Sequence, residues 1–159
     1  MLANTTLPSA SQVTIRAYRP EDWRAVCAVH DRARPLELRN SCDPKAFVPL
    51  ANDHEEADDF HRSQKFVACF EDTVIGFVGI DQHCISWLYV DPKYARRGIG
   101  RRLLRSAIHR IGAQAWTIVL SGNTPARCLY ESEGFQVVDA FESMNAGYSC
   151  TCLELALKE

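Results

Sequence analysis

The chain carries few of the features that would place it in a specialised class. In 159 residues there is no run near the ~20 apolar residues of a membrane-spanning helix, so no membrane partner is expected. The opening MLANTTLPSASQ lacks both the basic start and the apolar stretch of a signal peptide. The seven cysteines, Cys27, Cys42, Cys69, Cys84, Cys128, Cys150 and Cys152, form no C-x-x-C pair, which argues against a zinc ribbon, a thioredoxin-like motif and a resident metal. Cys150 and Cys152, two apart, point to one face of a strand without bridging each other. Reduced, mostly buried thiols in a cytoplasmic protein are the expectation. An excess of one charge is missing too: a net charge of −2 speaks against a nucleic-acid binder. No G-x-x-x-x-G-K-[ST] loop occurs, and no third glycine completes a dinucleotide fingerprint after Gly100.

What is present reads as one α/β domain over residues 13–159, preceded by a loose arm over residues 1–12. Val13 to Tyr18 alternates like a half-buried strand, and Pro20-Glu21-Asp22 opens a helix carrying Trp23, Val26, Cys27 and His30 at helical spacing. From Arg34 to Pro49 the pattern breaks up around three prolines. A short acidic helix follows over 52–62, with Asn52 or Asp53 as cap. Phe66–Phe70, Val74–Ile80 and Ile85–Val90 read as a three-strand meander. Ile99, Leu103, Leu104, Ala107, Ile108 and Ile111 form the apolar stripe of a helix. Trp116–Leu120 is a strand, Thr124 to Glu133 a helix stopped by Gly134, and Val137-Val138 and Tyr148–Leu157 two last strands. The order β-α-α-β-β-β-α-β-α-β-β implies a mixed, mostly antiparallel central sheet flanked by helices.

Chemistry concentrates between Leu88 and Leu104. There a strand ends at Pro92, and a loop with Gly98 and Gly100 opens a helix whose first amides are unpaired and partly positive. Arg96, Arg97, Arg101 and Arg102 add charge suited to a diphosphate. A lone G-x-G is weak evidence, and arginines on a helix face are usually only solvated.

A second segment makes the pattern specific. Ile85 to Leu104, together with Asn123, Ala126, Tyr130 and Gly134-Phe135, resembles the GCN5-related N-acetyltransferase (GNAT) superfamily. Its first core motif is a strand followed by [QR]-x-x-G-x-[GA], and its second is a strand, an Asn, and a helix with Ala and Tyr before Gly-Phe. The resemblance implies a GNAT-like fold, acetyl-CoA as cosubstrate with no metal, and transfer of acetyl to a small-molecule or peptide amine by direct attack. It implies that the backbone of Leu88, Tyr89 and Val90 holds the pantetheine arm. By the same resemblance Arg96, Arg97, Gly98, Ile99, Gly100 and Arg101 hold the pyrophosphate, Asn123 touches the pantetheine, and Tyr130 is the general acid. The head of the glycine loop departs from the family: Ala95 replaces Gln/Arg, with Arg96 as a substitute. Many relatives pair as dimers, which leaves a homodimer open.

The general base is harder to read. Some relatives carry a Glu where Cys84 stands, and its neighbour His83, with an ordinary pKa near ~6.5, is the candidate base ahead of Asp81. His54, Glu55, Glu56 and His61 fall in the irregular region that walls the acceptor pocket in this family, where they could meet a cationic acceptor or simply form a solvated helix face. Trp87 and Tyr89 share one strand face, as packing or as the acceptor-side lining. A non-catalytic acetyl-CoA sensor is the competing reading.

Overall fold

The computed structural model describes residues 7–158. Seven strands form one sheet: β1 Thr14–Ala17, β2 Gln64–Phe70, β3 Thr73–Asp81, β4 Cys84–Val90, β5 Trp116–Leu120, β6 Phe135–Asn145 and β7 Tyr148–Leu157. Four helices accompany them: α1 Trp23–Leu38, α2 His54–Arg62, α3 Ile99–Ile111 and α4 Thr124–Ser132. The spatial strand order is β1-β2-β3-β4-β5-β7-β6, and every neighbouring pair is antiparallel except β4 and β5. The expected element order and mixed sheet are both present. Among the described residues no helix is long and apolar enough to cross a membrane.

Strand alternation divides the core into two layers. On β2, Phe66 and Ala68 join Leu103, Leu104 and Ala107 of α3 on one side of the sheet, while Val67 and Cys69 join Val26 and Val29 of α1 on the other. Trp87 on β4 belongs to the α1 side, with Phe60 of α2 and Phe77 of β3 packed edge-on or tilted around it. Asp53 caps α2 by accepting from Glu56 N at 3.2 Å. At the other end of α2, Lys65 Nζ donates to the carbonyls of Phe60, His61 and Ser63 at 3.0, 3.1 and 2.9 Å, satisfying acceptors that the helix leaves open.

Four features differ from the sequence reading. First, α1 continues through Pro35 to Leu38. Proline removes one backbone donor there, but Leu38 is fully buried and anchors the last turn. Second, β6 spans eleven residues, far beyond Val137-Val138. It is an edge strand exposed on both faces from Gln136 to Ala140 and only half-buried on one face beyond, so its sequence lacks hydrophobic alternation, and a bulge between Val137 and Asp139 disrupts what periodicity remains. Third, within the arm, residues 1–6 lie outside the described residues, whereas Pro8 is buried and Ala10–Gln12 forms a 3-10 turn. Arg102 holds that turn by donating to the carbonyls of Ala10 and Val13. Fourth, the cysteines are not all reduced: Cys42 and Cys150, 108 residues apart, form a disulfide, and the other five are free thiols. No sequence spacing signals that bond, because the fold alone brings the loop after α1 against β7.

Candidate active site

The site begins where the sheet opens. β4 and β5 are in register only at Cys84–Trp116 and Ile85–Thr117. Thr117, almost fully buried, locks this short contact by donating from Oγ1 to the Ile85 carbonyl at 2.7 Å. Beyond it the strands diverge, leaving a notch of about 70 Å³ lined by Leu88 and Tyr89 of β4, Ile118 and Val119 of β5, and Asn123 and Tyr130. Unpaired strand edges offer the N–H and C=O groups with which an extended amide-bearing chain can bond.

Tyr130 and Asn123 come from the turn and helix after β5. Asn123 caps α4, accepting from Ala126 N at 3.4 Å, and it also lines the notch. Tyr130 is buried and packs edge-on against Phe135 with ring centroids 5.2 Å apart. Burial pushes its phenol well above the ordinary value, and the neighbouring Thr117 only partly offsets this. It is therefore a protonated donor at neutral pH. Packing and notch-lining are thus both real roles of this side chain. Beside the notch, burial and the nearby Asp81 and Glu154 push the Cys84 thiol up to about 12, so this cysteine supplies no thiolate nucleophile.

At the outer end of β4, Asp91 is buried, accepts from Lys93 N at 3.1 Å and pairs with Arg32 at 3.2 Å. The chain then bends through two left-handed residues, Arg96 at φ 61° and Gly98 at φ 78°. Gly98 is the N-cap of α3 and has no side chain to satisfy the helix amides. The first backbone bond of α3 runs from Arg102 N to Gly98 O, which leaves the preceding amides free for an anion. The loop, the free amides and the notch suit a diphosphate carrying an extended arm.

The arginines around this loop divide by role. Arg101 is bound to Ser132 and Glu133, and Arg105 also pairs with Glu133; Arg102 holds the 3-10 turn. Arg96 and Arg97 are exposed and make no ion pair among the described residues. Ala95, beside them, is exposed as well.

His83 sits exposed in the turn between β3 and β4, where its carbonyl accepts from Trp116 N at 3.1 Å. It lines neither the notch nor the larger cavity, because the turn lies at the end of β4 where β5 is still paired. Asp81 is absent from both linings as well.

A second cavity, of about 390 Å³, adjoins the notch on the α1 side of the sheet. Trp87 and Tyr89 form part of its wall, with Glu55 and Glu56 from α2, and His30, Arg34 and Glu37 from α1. Ser143, Met144 and Asn145 of β6 close another side. His54 and His61 do not line it; His61 packs on Trp23 with ring centroids 4.7 Å apart. Tyr89 lies deep in the protein yet keeps accessible surface on this cavity, and burial and Glu37 raise its phenol well above the ordinary value. Arg34 donates to Glu37 at 2.7 Å and to Asn145 at 2.8 Å. Arg34 and Glu37 escape the sequence reading, which ends α1 before them, and Asn145 lies on β6 beyond the strand read there. The i, i+3 spacing of Arg34 and Glu37 was the available signal.

Comparison with known proteins agrees with this architecture. The family described as "Acetyltransferase (GNAT) domain" matches residues 61–137. An uncharacterized N-acetyltransferase, YafP of Escherichia coli (strain K12), is 28% identical over 130 residues, covering 80% of this chain and 84% of that protein. Among solved structures, a GCN5-related N-acetyltransferase from Rhodopseudomonas palustris superposes with a TM-score of 0.80 at 16% identity, covering 98% of this chain and 99% of that one. The PaiA N-acetyltransferase from Thermoplasma acidophilum, solved in complex with coenzyme A, gives a TM-score of 0.72 at 18% identity, covering 92% of this chain and 99% of that one.

Proposed function

Since the chain belongs to the GCN5-related N-acetyltransferase superfamily and is an acetyltransferase, we propose that it moves the acetyl group of acetyl-CoA to a primary amine by direct attack. The observation that carries this reading is the notch: two rungs of parallel pairing, then a divergence with Tyr130 at its wall. In this assignment the backbone of Leu88, Tyr89 and Val90 bonds the pantetheine arm, and Asn123 contacts it from the opposite side. The amides from Arg96 to Arg101 hold the pyrophosphate, with the unpaired Arg96 and Arg97 adding charge. Tyr130 donates a proton to the leaving sulfur. A thiolate leaves fairly readily at an ordinary pKa near ~8.5, so the help of Tyr130 is moderate.

A thiol-release assay with a panel of amines tests the proposal. Turnover with at least one amine, and slower turnover by Tyr130→Phe at unchanged acetyl-CoA affinity, is expected. Tight acetyl-CoA binding with no turnover for any amine would instead make the protein a sensor.

A further inference from the structure

Glu37 stands where the two cavities meet. Among the described residues it is the only charged side chain that lines both the notch and the larger cavity. Its carboxylate accepts from Arg34 Nη1 at 2.7 Å and lies near enough to Tyr89 to raise its phenol. A carboxylate offers about four acceptor sites, so these contacts orient it without exhausting it.

The wall of the larger cavity is unbalanced in charge. Glu37, Asp53, Glu55 and Glu56 face it, against the single guanidinium of Arg34. That guanidinium is already engaged by Glu37 and Asn145. His30, also in the wall, has Nδ1 2.9 Å from Asp31 Oδ1. Burial raises the Glu56 carboxyl, and the neighbouring Asp53, Asp59 and Glu37 raise it further, against the opposing pull of Arg34. A bound cation relieves such crowding. The rings of Trp87 and Tyr89 add an aromatic wall, which suits an alkyl chain bearing ammonium groups. A carboxylate substrate, by contrast, would meet like charge on most sides.

We propose that Glu37 receives the ammonium group of the acceptor at the mouth of the notch, and that the acceptor is a small aliphatic polyamine whose second charge is met by Glu55 and Glu56. This rests on the transfer reading above. The seated ammonium gives one proton to the Glu37 carboxylate. The freed lone pair forms the N–C bond to the acetyl carbonyl carbon. The C–S bond then breaks with its electron pair on sulfur, which takes the Tyr130 hydroxyl proton. The surplus proton on nitrogen restores Tyr130, and Glu37 releases its proton to water.

Putrescine and n-butylamine, matched in chain length and differing by one charge, make the test, with acetyl-CoA affinity measured in parallel. The wild type is expected to prefer putrescine in kcat/KM. Glu37→Gln should lower kcat/KM for both amines by about 10²-fold, at unchanged acetyl-CoA affinity, which also shows that the variant is folded. The Glu55→Gln/Glu56→Gln pair should raise KM for putrescine roughly tenfold more than KM for butylamine. Full activity in Glu37→Gln, or a wild-type preference for butylamine, overturns the proposal. If the wild type acetylates neither amine, calorimetric binding of putrescine decides separately from the transfer reading. Loss of binding in Glu37→Gln supports the receiving role of Glu37, and equal binding overturns it.

Discussion

Arg34 on α1 donates from Nη2 to Oδ1 of Asn145 at 2.8 Å, joining residues 111 positions apart across the larger cavity. The same guanidinium holds Glu37 through Nη1, so one side chain ties the tip of the β6–β7 hairpin to the carboxylate at the notch. Asn145→Ala removes the hairpin end of this link, at a cost of about 1 kcal/mol. It should raise KM for the amine several-fold while leaving acetyl-CoA affinity unchanged. Hydrogen exchange at residues 144–148 should accelerate. Unaltered exchange and KM would show that the hairpin is held by β7 alone.

Tyr130→Phe keeps the edge-on contact with Phe135 and deletes the buried hydroxyl. Its kcat should fall by about 10²-fold, with stability changed by about 1 kcal/mol. The alkaline limb of stability gives an independent readout. The folded protein retains the Tyr130 proton above pH ~10, where the unfolded chain has lost it. Stability is therefore full below about pH 10 and declines as pH rises from there through the folded value. Denaturant melts between neutral and alkaline pH should show a shallower decline in Tyr130→Phe than in the wild type. Tyr89, raised in the same direction, keeps part of the slope in both.

The glycine loop separates stability from cofactor affinity. Arg96 adopts a left-handed backbone at φ 61°, which costs a residue with a side chain about 1 kcal/mol. Arg96→Gly should raise the melting temperature, yet weaken acetyl-CoA several-fold by removing a free guanidinium. Gly98→Ala works in the opposite direction on stability: its φ is 78°, and the new Cβ would lie 3.3 Å from Ala10 Cβ. It should cost about 1 kcal/mol or more and also weaken acetyl-CoA, by shifting the amides of α3. Calorimetry and thermal melts on the two variants distinguish these outcomes.

The Cys42–Cys150 bond closes a loop of about a hundred residues, and removing it is expected to cost about 2–4 kcal/mol. Alkylation of the denatured, unreduced protein, followed by mass spectrometry, should label five cysteines and recover Cys42 linked to Cys150. Cys42→Ser should melt earlier than the wild type under oxidising conditions and equally under strong reductant. Labelling of all seven cysteines in the denatured protein without prior reduction would refute the bridge.

The legible parts of this chain were those with a local cause. The α3 bounds follow from periodicity, because α3 buries one face against a single layer, while the central strands, buried on both faces, read as short apolar runs bounded by turn residues. The notch was legible only through the resemblance: nothing in Ile85 to Val90 or Trp116 to Leu120 states that their pairing stops after two rungs. The wall of the larger cavity was hidden for different reasons. Pro35 reads as a helix end, so Glu37 falls outside the element that positions it, and Leu38, whose burial holds that turn, carries no local sign of its partner. Asn145 lies on an edge strand whose polar faces leave no alternation to read. His83 looked apt in composition, but its side chain is set by a hairpin turn at the paired end of β4, away from the opening.

The short contact between Cys84–Ile85 and Trp116–Thr117 means that the sheet is two half-sheets, β1–β4 and β5–β7–β6, riveted at one point. An extended pantetheine arm lying in that divergence, as proposed above, would serve as an eighth strand of borrowed backbone. Under the proposed assignment its amides would splice the halves together, making acetyl-CoA a structural member of the protein as well as a reagent for it. At a hundredfold excess over its dissociation constant it would add about 2.7 kcal/mol to the folded state. That gain should be written most strongly in the exchange rates of amides facing the split, from Leu88 to Val90 and from Ile118 to Leu120.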